Sequence, residues 1–105
     1  MKANNDLLIR ITRSVREIEP DAIVILYGSF ARGENKPHSD MDILILLNKK
    51  KITGEDEVRV KYPLYDIEFE TRQVISPLVL AKIDWDTRHR ITPFYNNTKR
   101  EGVVL

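Results

Sequence analysis

Two aspartates one residue apart, Asp40 and Asp42, carry the sharpest chemical signal in the chain. They lie in the stretch Ile25–Leu47, ILYGSFARGENKPHSDMDILILL. Alternate side chains of a strand share a face, which would set both carboxylates on one side with Cα atoms roughly 6.5–7 Å apart. Carboxylates that close repel unless a cation lies between them. All-oxygen donors of this kind suit Mg²⁺ or Mn²⁺ rather than zinc. Upstream, Ala22–Tyr27 reads as a buried strand, rich in β-branched residues and without alternation. Gly28 follows, able to take backbone angles closed to other residues and to let a ligand approach. Ser29 then opens a short helical turn, Ser29-Phe30-Ala31-Arg32, which Gly33 stops. A helix N-terminus offers free N–H groups and a positive dipole end, both suited to phosphate. Ser29 adds a hydroxyl donor and Arg32 a charged fork. A phosphate cradle facing a carboxylate pair is the layout of metal-assisted phosphoryl or nucleotidyl transfer.

Two other glycine-rich patterns are excluded. No Lys-Ser/Thr follows Gly33, so the turn is not a GxxxxGK[ST] loop. Gly28 and Gly33 do not make GxGxxG, so a dinucleotide fold gains no support. The loop from Glu34 to His38 joins the cradle to the carboxylates. Its Lys36 and His38 read as exposed residues near where a triphosphate would lie. Ser39, beside Asp40, is the better candidate, since a hydroxyl there can bond a carboxylate or a ligand phosphate.

Gly28-Ser29-Phe30-Ala31-Arg32-Gly33 followed by Ser39-Asp40-Met41-Asp42-Ile43-Leu44-Ile45 resembles the signature of the nucleotidyltransferase superfamily related to DNA polymerase beta. The short chain is similar to its minimal nucleotidyltransferase branch, whose members are often antitoxin partners of HEPN-domain toxins. The motif covers about a fifth of the chain, and the order of elements extends the resemblance to most of it. The resemblance implies a Mg²⁺- or Mn²⁺-dependent transfer of AMP from ATP to an acceptor hydroxyl, with a tyrosine of a HEPN toxin as acceptor. It implies Asp40 and Asp42 as catalytic metal ligands and Gly28, Ser29, Arg32 and Ser39 as the nucleotide-binding set. The alternative is a catalytically weak or inactive antitoxin that neutralises its partner by binding alone, with a nucleotide-sensing module as a further reading.

Composition sets the frame. A chain of 105 residues with 42% apolar and 31% charged residues is that of a soluble globular protein, expected as one domain over residues 1–105. The net charge of +1 gives no general case for nucleic-acid binding. Cysteine is absent, which removes disulfides and thiolate metal sites. Met1–Asn5 does not open an export signal, and no apolar run is long enough to span a bilayer. A cytoplasmic location is the expectation, with homo- or hetero-oligomerisation left open.

The elements that must hold the motif come next. Asn5-Asp6 is expected to cap a helix through about Glu19, with Leu8, Ile11, Val15 and Ile18 on its buried face and Arg10, Arg13, Arg16 and Glu17 on a wet one. Asn48–Lys51 reads as a solvated turn. Val58, Tyr62, Tyr65 and Phe69 recur at helical spacing, so Glu55–Arg72 is expected as a helix, broken or bent near Pro63. The next strand is then Gln73–Ala81. Lys82–Trp85 begins a short helix with Trp85 covering the sheet, and Thr92 caps another with Pro93 at its first position. Val103–Leu105 is an apolar tail. The expected fold class is therefore α/β, a small mixed β-sheet flanked by helices.

The family resemblance implies a third carboxylate on the strand after the long helix. With Gln73–Leu80 as that strand, Ser76 or Val74 stands where the acid would be, and the sequence departs from the pattern. Tyr65–Glu70 also alternates as a strand would; on that reading Asp66 or Glu68 supplies the missing group.

Overall fold

A computed structural model describes residues 2–105, with side chains from Asn5 onward. The reading of Met1–Asn5 thus falls partly outside the described residues. In chain order the elements are α1 (Lys2–Ile18), β1 (Ile23–Tyr27), α2 (Ser29–Arg32), β2 (Met41–Leu47), α3 (Gly54–Thr71), β3 (Ile75–Ala81), α4 (Lys82–Thr87), α5 (Pro93–Glu101) and β4 (Val103–Val104). The strands form one mixed sheet in the order β3-β2-β1-β4, with β1 antiparallel to both neighbours and β2 parallel to β3. That parallel pair requires a crossover, which α3 provides. The expected α/β architecture is the one observed.

Helices cover both faces of the sheet, which explains the continuous apolar run of β2. On one face Met41, Ile43, Ile45 and Leu47 meet Ile11 and Val15 of α1 and Val60, Leu64 and Ile67 of α3. On the other, Ile25, Leu44 and Leu46 pack with Trp85 of α4, joined by Tyr27, Phe94 and Tyr95. Trp85 is the anchor there, its ring 5.5 Å from Phe94 and 4.8 Å from Tyr95. Thr92 caps α5 by accepting from the Tyr95 N–H at 3.1 Å. Among the described residues no helix is long and apolar enough to cross a membrane.

Several expectations are corrected. Helix α1 begins at Lys2, so Asn5 and Asp6 lie inside it rather than at its cap. Helix α3 runs unbroken through Pro63, and its buried residues are Asp56, Val60, Leu64 and Ile67. Val58, Tyr62, Tyr65 and Phe69 are exposed, so the larger apolar stripe points away from the sheet. The tail is not loose: Val103 and Val104 pair with Leu26 and Ile25 as an edge strand.

Lys49, expected as a solvated charge, belongs to the frame. Its Nζ donates to Asp56 Oδ1 at 2.7 Å, and Arg59 Nη2 donates to the same oxygen at 2.7 Å. Asp56 also closes a capping box with Thr53 at the start of α3. The Lys49 ammonium, with help from the Thr53 N–H and Arg59, holds the Asp56 carboxyl far below its ordinary 3.8. A depressed folded value means stability that is present above 3.8 and lost as the pH falls through the lower one. Asp56→Asn should therefore lower the urea midpoint at neutral pH, with the gap to wild type closing as the pH drops below 4 (about the free-carboxylate value). A gap that stays constant into acid would assign the effect to packing instead.

Candidate active site

Strand β2 delivers the two aspartates to one end of the sheet. Its first residue, Met41, donates its N–H to Val74 O at 2.9 Å, so Asp40 sits just ahead of the strand and Asp42 within it. Asp42 stands opposite Tyr27 on β1 and Ser76 on β3. By the alternation of a strand it shares a face with Leu44 and Leu46, beyond the edge of the Trp85 cluster. Asp42 is half-buried and Asp40 exposed. Ser76 Oγ donates to Asp40 Oδ2 at 3.3 Å, tying β3 to the carboxylate pair.

The glycine turn closes against the same carboxylate. Gly28 has φ 74° and ψ −154°, a region essentially confined to glycine. A Cβ built there would lie 2.3 Å from Asp42 Oδ2, so side-chain space at this point belongs to the aspartate. Helix α2 starts at Ser29 and ends at Gly33, φ 70°, as the residue types imply. Phe30 and Ala31 pack on the core and fix the orientation of this short turn. Its first N–H groups have no partners within the helix, and Gly28 supplies no side-chain cap.

Burial, and after it the charge of Asp40, push the Asp42 carboxyl above its ordinary value, while Arg32 pulls the other way. Burial and the charge of Asp42 likewise raise the Tyr27 hydroxyl. Burial and the neighbouring charge thus disfavour the ionised Asp42 carboxylate, a cost that a cation would offset. Asp40 and Asp42 offer carboxylate oxygens and Ser76 a hydroxyl. Among the described residues no group of three or more His, Cys, Asp or Glu side chains converges. Mg²⁺ is commonly held by one or two carboxylates, with water and substrate phosphates filling its shell. The donor set fits such an ion.

The other residues singled out by sequence fall as follows. Arg32 forms ion pairs with Glu34 at 3.3 Å and Glu101 at 3.5 Å, so its fork braces α2 against α5. Ser39 Oγ accepts from the Lys36 N–H at 2.8 Å and closes the loop before Asp40. Lys36 and His38 are exposed. Asp66 and Glu68 lie on α3, which packs on the opposite face of the sheet, and Glu68 Oε1 accepts from the Ile75 N–H at 2.7 Å. The reading of Asp66-Ile67-Glu68 as the strand is therefore overturned: a helical start at the Thr53 capping box outweighs six alternating residues. Val74 precedes β3, and Ser76 is the residue across from Asp42.

Gln73 has a part that sequence reasoning missed. Its Nε2 donates to Ser39 O and to Val74 O, each at 2.9 Å, clamping the loop before Asp40 to the entry of β3. No local signal marks that role, which depends on two segments meeting in space. A groove of about 720 Å³ runs along α1 beside Leu105, with Glu17 the one acidic side chain in its lining. The paired acids and the glycine turn make the Asp42 end the candidate site.

Comparison with known proteins identifies a family. The nucleotidyltransferase domain family matches residues 8–100. A CCA-adding enzyme of Pyrobaculum aerophilum is 32% identical over 89 residues, 81% of this chain and 21% of that protein. A Methanocaldococcus jannaschii protein described as a candidate protein adenylyltransferase is 35% identical over 60 residues, 56% of this chain and 59% of its own length. The chain thus spans from about a fifth to three-fifths of these curated relatives. Among solved structures, a toxin–antitoxin crystallised with AMP-PNP superposes with TM-score 0.61 at 14% identity, covering 96% of this chain and 71% of that one. This last likeness is one of fold. The family match extends from α1 into α5 and takes in the glycine turn and both aspartates: the chain belongs to the nucleotidyltransferase domain family.

Proposed function

We propose that residues 1–105 form one minimal nucleotidyltransferase domain that transfers AMP from ATP to an acceptor hydroxyl, a tyrosine of a partner HEPN toxin. One observation carries the reading: the carboxylates of Asp40 and Asp42 stand at the sheet end where the Gly28–Ser29 turn closes directly on Asp42. A nucleotide-complexed toxin–antitoxin neighbour and an adenylyltransferase relative support the choice of nucleotide and of partner. Asp40 and Asp42 would hold Mg²⁺ or Mn²⁺, which polarises the α-phosphate when bound. The Ser29 hydroxyl and the free amides of α2 would hold the phosphates beyond it. Arg32 and Ser39 would keep the cradle in shape rather than reach the reacting atoms. In the reaction the acceptor hydroxyl passes its proton to water, its oxygen bonds to the α-phosphorus, the bond from that phosphorus to the bridging oxygen breaks, and pyrophosphate leaves. A cytoplasmic location goes with ATP as substrate.

Ser76 favours a second reading. A carboxylate across from Asp42 would take the acceptor's proton, and a neutral hydroxyl does this poorly. The alternative is an antitoxin that neutralises its partner by binding, with little or no turnover. The experiment is incubation with α-labelled ATP, Mg²⁺ and the product of the adjacent gene. Label on the partner supports the enzyme; neutralisation without label supports the binder. Ser76→Asp sharpens the choice. It should tighten Mn²⁺ binding by about tenfold, since one further carboxylate joins the pair, and raise transfer. Unchanged Mn²⁺ affinity in a calorimetric titration would place residue 76 outside the site.

A further inference from the structure

Asp40 precedes the strand that carries Asp42, so the β2–β3 ladder does not by itself aim its side chain. Two rigid peptide planes meet at its Cα. The plane after it is fixed by the first rung of the ladder, the Met41 N–H donating to Val74 O at 2.9 Å. The plane before it holds Ser39 O and the Asp40 N–H. Gln73 Nε2 donates to that Ser39 O at 2.9 Å and to Val74 O at 2.9 Å. A side-chain amide has two N–H donors and a carbonyl oxygen can accept twice, so Val74 O serves both Met41 and Gln73. One side chain therefore ties both planes to a common point.

The other bonds of the loop do not anchor it to the sheet in this way. Ser39 Oγ accepts from the Lys36 N–H at 2.8 Å, and the Ser39 N–H donates to Lys36 O at 3.0 Å, which closes the turn on itself. Among the described residues no other side chain from outside residues 34–40 bonds the main chain of this loop. Gln73 is itself held before it reaches out. Helix α3 ends at Arg72 in the left-handed region, φ 62°, with the Arg72 N–H donating to Glu68 O at 2.8 Å. The Gln73 N–H then donates to Thr71 Oγ1 at 3.3 Å, and the Ile75 N–H to Glu68 Oε1 at 2.7 Å. With its backbone tethered on both sides, Gln73 has little freedom left to lose when it bridges the two carbonyls.

We propose that Gln73 is a positioning residue for Asp40: by holding the Ser39–Asp40 peptide plane it aims the Asp40 carboxylate at Ser76 and Asp42. The assignment rests on the reading of the two aspartates as the cation site. Both planes being held, neither backbone dihedral of Asp40 is free, and the direction of its Cβ is set. The carboxylate then lies where Ser76 Oγ donates to it at 3.3 Å, and Ser76 is the residue across from Asp42. With the first plane released, rotation about the second carries Cβ and the carboxylate away. Groups that orient a metal ligand in this manner typically change metal affinity by about 10–100-fold.

The test uses the whole chain carrying Gln73→Met, which keeps the length of the side chain and removes both donors. Amide relaxation by NMR, without metal, reads the released plane directly. The Asp40 N–H order parameter should fall from about 0.85 to below about 0.6, while that of Met41 stays at the rigid value. Titration with Mn²⁺ alone should show affinity weakened about tenfold at an unchanged melting temperature. An Asp40 N–H that stays rigid overturns the proposal, and so does a lowered melt with wild-type Mn²⁺ affinity, the mark of a merely structural residue. Should Gln73→Met fail to fold, Gln73→Asn carries the same two measurements, its amide being one methylene short of spanning both carbonyls. Wild type that takes up no Mn²⁺ overturns the cation site and this role together, whereas equal Mn²⁺ affinity in wild type and variant overturns this role alone.

Discussion

Asp42→Ala should reduce transfer of label from α-labelled ATP by on the order of 10³-fold or more, the effect of removing several kcal/mol of electrostatic stabilisation from the reacting phosphate. The same change should leave the fold intact, and the conservative Asp42→Asn should stabilise it in the absence of metal. The sign follows from the charge balance. Burial and Asp40 hold the Asp42 carboxyl above its ordinary value, so ionising it in the folded chain is unfavourable. A group with a raised folded value loses stability as the pH climbs from the unfolded value through the folded one. The gain from Asp42→Asn should therefore be greatest at neutral pH and vanish in acid, the reverse of Asp56→Asn. Adding Mg²⁺ should raise the melting temperature of wild type and not that of the variant. A variant that still transfers label at the wild-type rate would remove Asp42 from the chemistry, and an equal response of both proteins to Mg²⁺ would remove the metal from Asp42.

Asp42 and Asp56 thus stand in opposite electrostatic settings, and of these two only Asp42 could be read from sequence. Asp42 belongs to a local pattern, Gly28-Ser29 before it and Asp40 beside it, whose meaning rests on backbone geometry and short spacing. Turn chemistry of that kind is written in neighbouring residues, and α2 with its Gly33 stop follows from it. Asp56 takes its partners from Lys49, Arg59 and Thr53, a set fixed by how the turn after β2 meets α3. The apolar face of α3 failed for a related reason. Its outer stripe holds larger side chains than Val60, Leu64 and Ile67, and periodicity cannot say which of two stripes meets the sheet. Strand β4 is two residues long, too short for any alternation to register; its partners on β1 make it a strand. Ser76 was legible as a departure from the family pattern, yet its bond to Asp40 required the parallel register of β2 and β3.

Gly28→Ala should be the most damaging of the small substitutions near the site, because it breaks two constraints at once. The backbone angles at Gly28 lie where a side chain costs about 1–3 kcal/mol. The new methyl would also meet Asp42 Oδ2 at 2.3 Å, so the turn or the carboxylate must move. If the turn yields, α2 shifts with it and the turn loses its close approach to Asp42. If the carboxylate yields, Asp42 leaves the position from which it would share a cation with Asp40. Either way ATP affinity in the presence of Mg²⁺ should fall by on the order of 100-fold, a near-attack geometry being sensitive to shifts of about 1 Å. The unfolding free energy should fall by about 1–3 kcal/mol. A matched control is Gly33→Ala, also at positive φ but with open space around the new methyl. It should lower stability through backbone strain while leaving Mg²⁺-dependent ATP binding near wild type. Equal loss of binding in the two variants would mean that backbone strain alone accounts for the effect, and that the contact between Gly28 and Asp42 does not shape the site.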